Sequence, residues 1–197
     1  MKPEFPYRKS IRLRDYDYSL PGAYFITVCT HNRKFLFGQI IQGELILNRT
    51  GKIVREKWEK LLAIRKNLTL DEFVVMPNHF HGILFLSENY AGTASRAPTK
   101  EQFGKPASGS LSSIIRGFKS GVTNTINLVR NSPGEPVWQR GFYEHVIRNE
   151  EFCNRIREYI RTNPLSWELD RENPRRQRED EFDRWLAQFK TPPGIAP

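Results

Sequence analysis

The chain has 197 residues, 38% hydrophobic and 27% charged, which is enough for one well-cored domain with appendages and too few for two ordinary domains. Its 31 Lys and Arg outweigh 22 Asp and Glu, giving a net charge of +9 and a pI near 9.7. Such an excess favours a polyanionic partner, because cations that neutralise phosphates release condensed counterions. No apolar run nears the ~20 residues of a membrane span, and the basic start lacks the apolar stretch of a signal peptide.

Residues 1–22 read as a basic, Tyr-rich arm ending at Pro21-Gly22. Ala23–Thr30 (AYFITVCT) is rich in aromatic and β-branched residues and predicts a buried strand. Gln39–Asn48 has two short apolar runs around Gly43, a hairpin pattern. Thr50 is the expected cap of a helix over about Gly51–Lys66, whose Ile53, Val54, Trp58, Leu61 and Leu62 recur at helical spacing. Leu70–Met76 and His79–Leu86 predict two strands joined tightly at Pro77-Asn78. Residues 89–108 are rich in Gly, Ala, Pro and Ser without periodicity and read as a flexible insertion.

Ser110–Leu128 predicts a helix with Leu111, Ile114, Ile115, Phe118, Val122 and Ile126 on one stripe. Val137–Ile147 is strand-like. Asn149 is placed to cap a helix that Pro164 ends after about Thr162. The remaining 165–197 is a charged tail with one amphipathic stretch at Glu179–Phe189. That tail carries six basic and seven acidic side chains, so the basic excess belongs to residues 1–164. The order of elements predicts an α+β domain over 23–164, with helices against an antiparallel sheet. Cys29 and Cys153 have neither a disulfide framework nor a zinc spacing. They read as reduced packing residues in a cytoplasmic protein.

The chemistry concentrates in two short segments. In MPNHFHGILFL, His79 and His81 lie two apart on a predicted strand, so both imidazoles leave one face, a good start on a divalent-metal site. Two partly buried, hydrogen-bonded core histidines would give the same spacing. In YIRTNP, Tyr159 and Asn163 are spaced i, i+4 and share a helical face. Tyr159 could supply a phenolate and Asn163 a carbonyl oxygen; a packed ring and a helix-ending asparagine are the ordinary alternatives.

HFH after MPN, then WQRGFYEHVIRNEE, then YIRTNP, in that order, resembles the REP-associated tyrosine transposases, within the single-tyrosine HUH (His–hydrophobe–His) transposases of the insertion-sequence-200-like superfamily. The resemblance runs from about Tyr24 to Asn163 and extends weakly through NPLSWELDRENP. It implies a ferredoxin-like antiparallel sheet and a cytoplasmic, nucleoid-associated enzyme, monomer or homodimer, that acts on single-stranded DNA near imperfect palindromic hairpins. It implies Mg2+ or Mn2+ on His79 and His81, Tyr159 as the catalytic nucleophile forming a 5′-phosphotyrosine, and Asn163 completing the metal site. His145, in YEHVIR, also matches the family; it stays outside the metal set as an accessory candidate.

Single-stranded DNA calls for backbone cations interleaved with aromatic platforms. The candidates are Arg8, Lys9, Arg12 and Arg14, beside Tyr7, Tyr16 and Tyr18, in the arm; Arg116 and Lys119; and Arg140, Tyr143 and Arg148 around the last strand. Two other classes compete with the transesterase. One is a non-catalytic single-strand or RNA-hairpin binder, and the other a metal-dependent nuclease in which water attacks.

Overall fold

The computed structural model describes residues 20–87, 109–176 and 178–189. The arm candidates Arg8, Lys9, Arg12 and Arg14 and the insertion at 89–108 lie outside them. The elements are β1 (Gly22–Cys29), β2 (Gly38–Ile41), β3 (Glu44–Leu47), α1 (Arg49–Glu59), α2 (Leu61–Ile64), β4 (Leu68–Val75), β5 (His79–Leu86), α3 (Leu111–Arg130), β6 (Tyr143–Ile147), α4 (Glu150–Thr162) and α5 (Glu181–Ala187).

The main sheet runs β4-β5-β1-β6 with every neighbour antiparallel. Two crossovers make this order, one from β1 through α1 to β4 and one from β5 through α3 to β6. This is the ferredoxin-like arrangement expected from the motifs. β2 and β3 form a separate hairpin. Its Gln42 and Gly43 both have positive φ, 52° and 80°, as a two-residue turn matched to strand twist requires.

Alternation along the strands divides the interior into two cores. Tyr24, Ile26, Val28, Phe80 and Leu84 face α1 and α3, where Trp58 packs 4.6 Å from Phe80 and 5.2 Å from Phe118. Gly82 makes room for that indole: a Cβ there would come within 2.9 Å of both Trp58 and Phe80. Phe25, Ile83 and Ile147 face α4 and α5. His79 and His81 share this second face, with Phe80 turned the other way.

Three expectations need correction. Asn48, not Thr50, caps α1: its Oδ1 accepts from the backbone N–H groups of Thr50 and Gly51, both at 3.0 Å. Thr50 lies inside the helix, its hydroxyl donating to the Leu36 carbonyl. That helix also breaks at Lys60 into α1 and α2. Val137–Ile147 is not one strand. Trp138 makes an isolated bridge to Thr30, and Gly141 at φ 79° interrupts the run before β6 begins at Tyr143.

α4 is clamped to the edge strand by ion pairs. The Arg157 guanidinium meets Asp71 at 2.7 Å, and Arg161 meets Glu72 at 2.8 Å. Asp71 and Glu72 sit at the irregularity between Leu70 and Phe73, where the β4–β5 register shifts. This lays the helix across the histidine face.

Candidate metal and tyrosine site

β5 begins at His79, so both histidines stand at one end of a central strand, 0% and 2% exposed. Each is oriented through Nδ1. His79 Nδ1 lies 2.9 Å from Asn78 Oδ1, and His81 Nδ1 lies 2.8 Å from Thr27 Oγ1 on the paired strand. Asn78 is itself held by the Glu172 carbonyl at 2.7 Å. Such partners fix ring orientation and leave both Nε2 atoms aimed at one point, as in protein metal sites.

α4 delivers Tyr159 and Asn163 to that point. Tyr159 Oη is 3.3 Å from His81 Nε2 and donates to Asp170 Oδ2 at 3.2 Å. Asn163 Nδ2 donates to the same oxygen at 2.6 Å. Asp170 Oδ2 also lies 3.8 Å from His79 Nε2 and 4.0 Å from His81 Nε2. His79, His81 and Asp170 thus present ligand atoms within 4.8 Å of one another, all buried. Among the described residues, His79 Nε2 and Asn163 Oδ1 are buried without a hydrogen-bond partner. Two orphaned lone pairs beside a carboxylate suit a divalent cation, because a buried acceptor left unpaired is otherwise costly. Neutral imidazole, carboxylate and amide oxygen together form a mixed nitrogen and oxygen donor set that can hold a divalent cation.

Asp170 is the residue that the motifs missed. It belongs to the segment after α4, where a short 3-10 turn at Trp167–Leu169 swings the chain back across the site. The nearby histidines and the amide of Asn163 hold its carboxyl far below the usual carboxylate range despite burial. Glu172 follows the same logic: Arg33 at 3.0 Å keeps its carboxyl low against the cost of burial. Cys29 Sγ contacts Glu172 Oε2 at 3.2 Å. In the sequence Asp170 lies in WELDREN, part of the charged tail, with no spacing motif that marks it as a ligand.

The C-terminal segment also covers Tyr159. The Phe182 ring of α5 stacks on Tyr159 at 3.7 Å with the planes 6° apart. Tyr159 is 8% exposed. Burial, Asp170 and Asp183 all push its phenol well above the usual value near 10. As arranged, the hydroxyl is held protonated and covered.

His79 is pushed down to about 4 by burial, against the pull of Asp170. His145 is also pushed down to about 4, by burial and by Arg148. It stacks on Phe152 at 5.0 Å and 7° and is not part of the metal group. An unfolded histidine titrates near 6.5, so between pH 6.5 and 4 the unfolded chain binds more protons than the folded one. Stability from both residues is therefore full above pH 6.5 and lost as pH falls toward 4, on the order of 2 kcal/mol each at pH 4.5. Urea unfolding of metal-free protein at pH 7 and 4.5 measures this. The His145→Phe variant is expected to lose about half of the difference.

Among curated proteins, an uncharacterised protein of Haemophilus influenzae is 43% identical over 169 residues, spanning 83% of this chain and 92% of that protein. The two belong to one family. No family model matches the chain. Among solved structures, the REP-associated tyrosine transposase bound to a REP hairpin superposes with a TM-score of 0.53 at 22% identity, over 94% of this chain and 91% of that one. The fold is that of the REP-associated tyrosine transposases. This bears out the resemblance read from the motifs at the level of architecture. A further structure, from Deinococcus radiodurans, overlaps at a TM-score of 0.43 and 14% identity over 76% of this chain and 95% of that one, too little to argue from.

On this REP-associated transposase fold, His79, His81, Tyr159 and Asn163 converge, while the candidate DNA-contacting residues scatter. Arg116 is exposed on α3, against the opposite sheet face. Lys119 is not a free phosphate contact: its Nζ donates to the carbonyls of Gln139 at 2.7 Å and Gly141 at 2.5 Å. That burial lowers its ammonium to about 8. It pins the loop between Trp138 and β6. Arg140 and Arg148 are exposed at the two ends of the segment around β6, and Tyr143 lies under Arg171, 5.7 Å from its ring. No helix among the described residues is long and apolar enough to cross a membrane.

Proposed function

We propose that this protein cleaves and rejoins single-stranded DNA beside short imperfect palindromic hairpins, through a covalent 5′-phosphotyrosine on Tyr159. The observation that carries the reading is the meeting of Tyr159 Oη, 3.3 Å from His81 Nε2, with two orphaned metal-competent atoms in one buried group. His79 and His81 would hold Mg2+ or Mn2+, with Asp170 and the Asn163 carbonyl as further protein donors. The ion would offset Asp170, favour the phenolate and draw charge from the scissile phosphate.

In cleavage, the Tyr159 oxygen forms a bond to phosphorus in line and the bond from phosphorus to the 3′-oxygen breaks. The phenol proton passes to water, and the departing oxygen takes a proton to become a 3′-hydroxyl. The phosphotyrosine conserves the ester, so a 3′-hydroxyl of another strand can attack it, restore a phosphodiester and release Tyr159. The reading agrees with the hairpin bound in the structurally similar transposase. Exposed Arg116, Arg140 and Arg148 are assigned to the DNA backbone, together with the arm residues.

The direct test incubates the protein with end-labelled, hairpin-bearing single strands and Mn2+, followed by a denaturing gel. A covalent protein–DNA band that disappears with chelator is expected. Binding with no cleavage under Mn2+ or Mg2+ would leave a hairpin-binding protein instead. The covered nucleophile adds a second expectation. Phe182→Ala uncovers Tyr159, so the band should form severalfold faster, at a stability cost of about 3 kcal/mol from the lost aromatic. The rate is compared below the melting temperature of the variant; no acceleration would mean that Phe182 does not gate access.

A further inference from the structure

We propose that the cleft between Phe35, residues 167–175 and Arg178 is a nucleobase subsite, which holds an unpaired base of the DNA strand next to the tyrosine site. The proposal rests on single-stranded DNA being the substrate, as above. The cleft has a volume of about 590 Å³, within the range of pockets that enclose small ligands. One wall is Phe35, 44% exposed and so open to a stacking partner. Trp167 packs edge-on against Phe35 at 5.7 Å and 66°, so the two rings form one continuous aromatic wall. Arg175 holds its guanidinium 6.0 Å from the Phe35 ring centre, and Arg178 also lines the cleft.

The walls are built rather than loose. Asn173 Nδ2 donates to the Trp167 carbonyl at 2.9 Å, and Asn173 Oδ1 accepts from the Arg175 N–H at 3.0 Å. Turns such as Asn173 N–H to the Asp170 carbonyl, at 3.0 Å, tie the segment to the buried carboxylate. Trp167 joins the cleft to the chemistry, because its other neighbour is the His79 ring, 6.1 Å away and inclined by 26°. A base against Phe35 would leave its own phosphate beside Arg175 and Arg178, with the next phosphate toward the histidines. Aromatic faces flanked by arginine are what single-stranded nucleic acid selects, since every base offers a π-face and every nucleotide a charge. Glu168 also lines the cleft. Its carboxylate repels phosphate there and accepts from a base amine instead.

The test uses a single-stranded dA 12-mer carrying one central 2-aminopurine, titrated with the full chain without metal. Stacking is expected to quench the probe on binding. Phe35→Ala should abolish most of the quenching and weaken binding roughly tenfold, with Phe35→Trp restoring both. Arg175→Ala should lower the salt dependence of binding by about one counterion, whereas Lys52→Ala, an equal charge change on exposed α1, should leave the quenching intact. A strand with 5-iodouracil at the same position should photocrosslink to Phe35 or Trp167. Equal quenching and affinity in Phe35→Ala, or crosslinks mapping only elsewhere, overturn the subsite. A covalent Tyr159 adduct without Phe35-dependent quenching would sink the subsite and leave the transesterase reading standing. Phe35-dependent quenching without any adduct would do the reverse.

Discussion

Tyr159→Phe is expected to abolish the covalent protein–DNA band and to lower strand cleavage at least about 10³-fold, the scale on which removal of a nucleophile acts. The change deletes one oxygen. The ring keeps its 3.7 Å stack on Phe182 and its place in the second core. The lost hydroxyl frees one hydrogen bond to Asp170, a stability effect of about 1 kcal/mol. Asp170 retains Asn163 at 2.6 Å and the Glu172 N–H at 2.7 Å, so the carboxylate is not stranded. A large activity loss with near-normal melting therefore isolates the chemistry from the fold. Cleavage undiminished in this variant would assign the attack to water and make the protein a hydrolytic nuclease. The gel and a thermal melt together decide.

The second large effect is at the histidines. His79→Ala with His81→Ala is expected to remove metal-dependent cleavage and, in a calorimetric titration without DNA, Mn2+ binding as well. The physical reason is the donor count. Without the two imidazoles, Asp170 and the Asn163 carbonyl are the donors left among the described residues, too few for a tight site. Both rings are buried, so the double variant is also expected to melt lower, by the few kcal/mol typical of emptied core positions. Circular dichroism at low temperature checks that the sheet persists. Asp170→Asn, close to isosteric, is the finer probe. It should weaken Mn2+ binding by at least about 100-fold, the upper end of what loss of an outer-shell partner costs, while removing a charge that helps raise the Tyr159 phenol. Full activity of the double variant at unchanged metal dependence would defeat the metal assignment.

Much of the fold was legible because it is written in local periodicity. β1, β5 and α3 carry dense apolar patterns, and their observed bounds fall within a residue or two of those expected. The cap of α1 was misplaced by two residues because Asn48 and Thr50 are both competent caps. The choice fell to packing, with the Thr50 hydroxyl drawn to the Leu36 carbonyl. The break at Gly141 was hidden because the side chains of 137–147 suit a strand throughout, while the φ of one glycine and the Lys119 contacts decide the backbone.

The site divides along the same line. His79 and His81 share a face by the two-residue period of a strand, and Tyr159 and Asn163 share one by the turn of a helix; sequence by itself determined both pairings, and the order of motifs pointed to the family fold. That the two pairs meet depends on α4 crossing the histidine face, clamped by Arg157 and Arg161. Such long-range contacts leave no periodic trace. Asp170 and Phe182 were decided by tertiary structure alone. A charged segment looks solvated until the chain folds back, and only then does one carboxylate become the buried hub of two histidines, an asparagine and a tyrosine. Local spacing fixes which side chains share a surface, whereas burial and charge pairing between distant surfaces fix what they become.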